Sequence, residues 1–385
     1  MNISTSDRRN HSTRSHAIIV GGGVIGASIA YELGKAGFAC TIIDKSGWSQ
    51  EASTAAAGML GAQSETHHPG PFYDLCRASQ QLYSDWTEEL EAASGIAPQY
   101  IAKGIVRAAL SEEDEQELRS RLDWIQDAEW LDAQSLLQIE NELTPSVRGG
   151  LYLPKDHQVH PVWLTRSLRA ALERQGCCVK EWAPVFKLLT APGTGSVCGV
   201  STPEGELYAD LVVLAAGAWS SSLTEPLGLK LPIFPVKGQC LALRTEAPLI
   251  SHTLFTKGCY IVPKADGSCI IGATQVEAGF DKRATATAIS VLHDRAQELL
   301  PRMAEAEFVS TWSGLRPGTL DGLPYLGAWE GAPGLLLATG HFRNGILLAP
   351  ITGRVIGQLA TGITPEVDLT PYAPARALAG ASQAL

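Results

Sequence analysis

Apolar and polar positions along this chain switch between two periods, and the first clear switch begins at His16. "HAIIV" (16–20) is a continuous apolar run rich in β-branched residues and reads as a buried strand. "GGGVIG" (21–26) breaks that run. "ASIAYELGKAG" (27–37) then places Ala27, Ala30, Tyr31 and Gly34 on one narrow helical face, with Gly37 as the C-terminal cap. "FACTIID" (38–44) supplies the next strand, completing a βαβ unit of about 30 residues.

Further along, residues 72–143 read as helical and charge-rich, and "SEED" (111–114) opens one helix as a capping box with a solvated acidic face. A second α/β stretch covers 155–222. In it Leu164, Leu168, Ala171 and Leu172 share a helix face that ends at Gly176, and four strand-like runs follow. From 233 to 280 "PVKGQCLALR", "GCYIVPK" and "SCIIGAT" predict short strands separated by turns. From 314 the chain returns to Gly/Pro-rich loops, a strand "GLLLATG" and a final helix ending near Gly362. The order α/β, helical, α/β, β, α/β predicts two interleaved domains rather than two in series.

Composition narrows the function classes. The chain has 385 residues, 45% hydrophobic and 18% charged, enough for a large core. Its formal charge of −10 and the lack of any Lys/Arg cluster argue against nucleic-acid binding. The apolar stretch "LVVLAAGAW" (211–219) is far short of the roughly 20 residues of a membrane span. Residues 1–15 are polar and read as a disordered tail without a secretion signal. Eight cysteines show no metal-type spacing, and a reduced, cytoplasmic setting is expected. His67 and His68 read as loop residues, and no metal is expected.

The chemistry centres first on Gly21, Gly23 and Gly26, which fit Gly-x-Gly-x-x-Gly between a strand and a helix. Such a turn lets a pyrophosphate approach the backbone at a helix N-terminus. Asp44 closes the second strand 18 residues after Gly26, where a carboxylate would accept ribose hydroxyls. A second βαβ half, usual in nicotinamide dehydrogenases, does not follow. Instead the small, hydroxyl-rich "SQEASTAAAGML" (49–60) could lie flat against a second nucleotide half, favouring FAD over NAD. Near the C-terminus, "GHFRNGILLAP" (340–350) sets Arg343 in an apolar run, where an anion or a set of carbonyls must meet its guanidinium.

Together, Asp44, "STAAAGML", "AAGAWS", "VKGQ", "CYIVPK", "GLRPGT" and "GHFRNGILLAP" resemble the D-amino acid oxidase family of FAD-dependent amine oxidoreductases, its glycine-oxidising bacterial members above all, in register from about His16 to Thr361. The resemblance implies an α/β fold, with a Rossmann-like FAD-binding domain interleaved with an α+β substrate domain on a mostly antiparallel sheet. The boundaries expected are 16–90, 155–232 and 318–366 for the first, 91–154 and 233–317 for the second, and 367–385 as a C-terminal tail. It implies FAD contacts at Val24, Ile25, Asp44, Lys45, Ala52, Ser53, Ala57, Gly58, Met59 and Val185. His341, Phe342, Arg343, Asn344, Gly345, Ile346 and Leu347 complete that set. Tyr260 and Arg316 would hold a substrate carboxylate with Arg343 close by, and that carboxylate would be the anion Arg343 faces.

Arginine suits this task because its planar fork binds a carboxylate bidentately. Arg316 in "SGLRPGT" reads as fixed in a rigid loop by Gly314 and Pro317. "NGILL" (344–348) is expected to open the last helix, its positive end near the flavin, with Pro350 in the first turn or at a kink. The implied reaction is hydride loss from Cα of glycine, sarcosine or a small D-amino acid to noncovalent FAD. O2 is the acceptor, and the products are a 2-oxo acid, ammonia and H2O2. A D-amino acid dehydrogenase, or an oxidase of a bulkier N-substituted glycine, stands as the alternative, since Gly258 and Gln275 depart from some relatives. The resemblance further implies a homo-oligomer, a tetramer, and leaves open whether the product serves thiamine thiazole synthesis or catabolism.

Overall fold

The computed structural model describes residues 14–381; the expected disordered tail lies outside them except for Arg14 and Ser15. A six-stranded sheet runs in the order Tyr325–Ala328, Leu335–Thr339, Leu211–Leu214, His16–Val20, Ala39–Ile43, Cys178–Lys180. It is parallel except for its first strand. Both faces are covered, which explains why "HAIIV" lacks alternation. Ala17 and Ile19 pack under one helical layer, while Ile18 and Val20 face the small sheet of Lys187–Thr190, Val197–Thr202 and Gly205–Tyr208. The helical layer comprises Val24–Lys35, Pro71–Ser94, Pro161–Arg174 and Ala349–Ala360.

An eight-stranded, mostly antiparallel sheet forms the second body of the fold. Its long edge pair, Ile233–Arg244 with Glu307–Thr319, is in register at Val236↔Arg316 and Gly238↔Gly314. Helix Ala286–Leu299 covers this sheet through Leu292, Ala296 and Leu299.

Several expectations need correction. Arg316 lies within a paired strand, not a loop; Pro317 is opposite Pro235, so neither ring removes a needed N–H from a central ladder. The 72–143 segment is not helical throughout. Ile105–Ala109 is a strand buried at every position, so it shows no period-2 signal, and Glu129–Asp132 is a second strand. Residues 344–348 form a turn in which Leu348 N donates to Asn344 O at 2.8 Å, and the helix begins only at Ala349. The carbonyl of Leu347 accepts from Ser79 Oγ, and that of Ile346 from Tyr83 Oη as well as from Ala349 N at 3.2 Å. Pro350 therefore sits in the first helical turn, where its missing N–H costs nothing. In the C-terminal stretch from 367, Tyr372 is buried against the core while Leu378 is exposed. The capping box is present: Ser111 Oγ accepts from Asp114 N, and Asp114 Oδ2 from Ser111 N.

Candidate active site

The glycine turn is packed too tightly for side chains. A Cβ on Gly26 would overlap the Gly21 carbonyl, and one on Gly21 (φ +113°) would overlap the Ala215 carbonyl. Helix Val24–Lys35 therefore begins hard against the sheet. No acidic side chain caps it; Val24 N donates to Ser53 Oγ at 2.9 Å. Asp44 braces the turn, with Oδ2 accepting from Gly22 N at 2.6 Å and Oδ1 from Ser46 N at 2.8 Å.

From this turn a single elongated cavity runs between the two sheets to Tyr260, Arg316 and Arg343. All the expected cofactor positions line it except Gly26, Asn344 and Leu347. Its middle is bare: Ala52 and Ala55 face Gly314, where a Cβ would collide with Ala55, and Ala57 lines the same stretch. Small residues over this length leave room for a long planar ligand. Lys264 fastens the wall from below, its buried Nζ donating to Ala57 O (2.6 Å), Gln158 Oε1 (2.9 Å) and Val159 O (3.3 Å). Burial pulls this ammonium down to about 7, against the pull of Asp266 and Cys269.

At the far end Arg316 lies over Gly238, the glycine of "VKGQ", where any Cβ would overlap the guanidinium. Its Nη1 donates to Thr274 O at 3.2 Å, and among the described residues no carboxylate pairs with it. Tyr260 is buried, its Oη 3.6 Å from Cys240 Sγ. Burial pushes this phenol well above its ordinary value and Cys240 adds to that, while Arg316 and Arg343 pull it back. It is thus a neutral O–H flanked by two cations. His341, also buried, is pulled by burial down to about 3 and is a neutral ring beside Thr352.

Arg343 does reach this end of the cavity, but the anion it faces is Glu65, whose Oε2 accepts from its Nε at 2.7 Å. The Glu65 carboxylate holds Arg343 far above its ordinary value, against the opposing effect of burial. The expected substrate carboxylate is therefore not needed to satisfy this guanidinium. Glu65 escapes a sequence reading because it lies in a polar loop, "QSETHH", with no periodic or motif signal. Glu51 escapes it as well; it joins Lys45 and Lys282 at the cavity rim, where Lys45 also lies 3.7 Å from the Trp219 ring. Among the described residues there is no metal-binding group of His, Cys, Asp or Glu, and no helix is long and apolar enough to cross a membrane.

A glycine turn at an open helix N-terminus, a carboxylate on the second strand and a bare slot ending at a cationic pocket define a dinucleotide-dependent oxidoreductase. The chain belongs to the FAD dependent oxidoreductase family, whose model matches residues 16–359. It is 40% identical over 369 residues to a glycine oxidase of Geobacillus kaustophilus (94% of this chain, 97% of that one). The crystal structure of a glycine oxidase from that organism superposes with a TM-score of 0.90 at 38% identity, covering 94% of this chain and 99% of the other. The bifunctional protein ThiO/ThiG of Nostoc is 39% identical over 353 residues, 89% of this chain and 52% of that protein.

Proposed function

We propose that this protein oxidises glycine and other small amines, including sarcosine and small D-amino acids, giving the 2-oxo acid, ammonia and H2O2. The observation that carries the reading is Arg316, a guanidinium without an acid partner among the described residues, set beside the neutral phenol of Tyr260 at the far end of the cavity. A fork of N–H donors plus one O–H matches a single carboxylate, the handle every small amino acid offers. Similarity to glycine oxidases supports the same substrate class.

The residues lining the slot would hold FAD, which when bound would supply the two-electron chemistry at the substrate Cα and with O2. The chain's own part is to bind and to exclude water. Arg316 and Tyr260 fix the carboxylate, and thereby the direction of the Cα–H. Ala55, Ala57 and Gly314 make a wall without protruding groups, which leaves the space between the two ends of the cavity clear. At the N-terminus of helix Val24–Lys35, Ser53 Oγ takes only the Val24 N–H and no acid lies in the first turn. Its remaining N–H groups would be offered to the pyrophosphate, and Asp44 would offer acceptors to the ribose.

The test is anaerobic mixing of purified holoprotein with glycine, sarcosine, D-alanine and an N-carboxymethyl amine, followed by air and peroxide detection. Bleaching of the yellow colour and peroxide with the small amines support the reading. Dye reduction without oxygen consumption would mark a dehydrogenase instead. An N-substituted glycine reacting fastest would favour the bulkier substrate. Gln275 bears on that outcome because it lines a second cavity, beyond Phe342, with Phe234 and Val236.

A further inference from the structure

Three carboxylates line the main cavity, and two of them are accounted for at the glycine-turn end: Asp44 braces the turn and Glu51 bridges lysines. Glu65 stands at the opposite end with Arg343, which shares the electrostatic neighbourhood of Tyr260. Its immediate support is costly. Asp156, fully buried, accepts from Ser64 N at 2.6 Å and from Gln63 N at 3.1 Å, and Gln80 Nε2 donates to it at 2.7 Å. Arg107, buried, donates to Ser64 O at 3.0 Å, and buried Arg121 to Thr66 O at 3.1 Å. Both residues that flank Glu65 are thus clamped by charged side chains taken out of water. Burying charge is unfavourable unless it is paired and hydrogen-bonded. Here the loop carbonyls and Glu117, which accepts from Arg121 and lies 4.0 Å from Arg107, supply the partners. A loop that merely closed the surface would not need such support.

The clamp aims one carboxylate into the cavity with half of its capacity unused. Oε2 is engaged by Arg343, whereas Oε1 has no hydrogen bond among the described residues. Arg316, Arg343 and Glu65 together carry one net positive charge. A substrate carboxylate balances that charge only if its amine enters neutral, the form that can lose hydride from Cα. Such an amine brings N–H donors, and an ionised carboxylate is purely an acceptor.

We propose that Glu65 Oε1 accepts an N–H of the substrate amine, making Glu65 a recognition and specificity residue that selects small acids bearing a donor on Cα. This rests on the amine-oxidation reading above. Arg316 and Tyr260 hold one end of the substrate and Glu65 the other, so that two polar anchors orient the Cα–H between them.

The test compares ligands that share the carboxylate and differ in the donor, using holoenzyme of the wild type, Glu65→Gln and Glu65→Asp. Acetate dissociation constants come from perturbation of the flavin absorption, and glycine constants from the concentration dependence of anaerobic flavin reduction. In Glu65→Gln, glycine binding should weaken tenfold or more while acetate binds as well or better, because Arg343 has lost its counter-charge. If that variant fails to retain FAD, Glu65→Asp keeps the charge and withdraws the oxygen, and should show the same split. Equal weakening of glycine and acetate, or no weakening of glycine, overturns the proposal and leaves Glu65 as a counter-ion to Arg343. If no small amine reduces the wild-type flavin, the oxidase reading fails separately. Glycine can then be titrated as a simple ligand against acetate, and the same comparison still judges Glu65.

Discussion

Gly238 and Arg316 occupy neighbouring strands of one antiparallel ladder, and the guanidinium lies where a Cβ on Gly238 would be. The glycine of "VKGQ" therefore makes room for Arg316, the proposed carboxylate anchor. Gly238→Ala should displace Arg316 and weaken acetate and glycine binding together, with FAD retained. Arg316→Ala should do so more strongly, since truncating one partner of a charge pair costs about 2–5 kcal/mol. Acetate titration of the flavin spectrum reads both variants; unchanged affinity in Arg316→Ala would show that the carboxylate binds elsewhere.

Arg343 behaves differently because its counter-ion is built in. In Arg343→Met the Glu65 carboxylate would be left without its partner. Breaking a buried pair costs about 3–5 kcal/mol, and the lower end applies here because Arg343 retains some exposure. Thermal unfolding should show the loss. Adding Glu65→Gln to Arg343→Met should restore much of it, so the two effects are not additive. Additive losses would mean that the pair contributes nothing as a pair.

Asp44 serves both the Gly22 N–H and, on the proposed reading, the cofactor ribose. Asp44→Ala should therefore weaken FAD retention. Hydrogen bonds to charged groups are worth about 1.5–3 kcal/mol, or roughly ten- to a hundredfold in affinity. Gly26→Ala should act at least as severely, because its Cβ overlaps the Gly21 carbonyl. Equilibrium dialysis of FAD against each apoprotein checks both.

Lys264 makes stability depend on pH. Its amine titrates near 7 in the folded chain, lowered by burial from the ordinary lysine value near 10.5. Below about pH 7 the group is protonated folded and unfolded alike, and the cost of burying the charge is complete. Between about 7 and 10.5 the unfolded chain holds a proton that the folded chain has released. The cost then falls by at most about 1.4 kcal/mol per pH unit. The melting temperature of the wild type should consequently rise relative to Lys264→Met as pH increases from 7 to 10. A constant difference would mean that Lys264 stays charged on its three acceptors throughout.

Much of the fold and part of the site are legible in the amino-acid sequence alone. The βαβ unit with its glycines is readable because strand, turn and helix N-terminus are neighbours in sequence, and their geometry follows from local sterics. The "SEED" cap is readable for the same reason. The strand Ile105–Ala109 is not: it is buried throughout and so lacks alternation, and Arg107, Ala108 and Ala109 deny it the unbroken β-branched run that marks His16–Val20. Nor is the strand around Arg316, whose glycines and proline imitate a loop until Ile233–Arg244 pairs with it.

The sequence by itself determined which residue types line the cavity: glycines for close approach, an acid after the second strand, and arginines near its far end. Local chemistry specifies such things within a few residues. Only the tertiary structure decided how those groups pair. Arg316 has no acid beside it, while Arg343 meets Glu65 from 278 positions away in the chain. Ion pairing depends on distance in space, and nothing in the periodicity of either segment encodes which distant loop will fold against it.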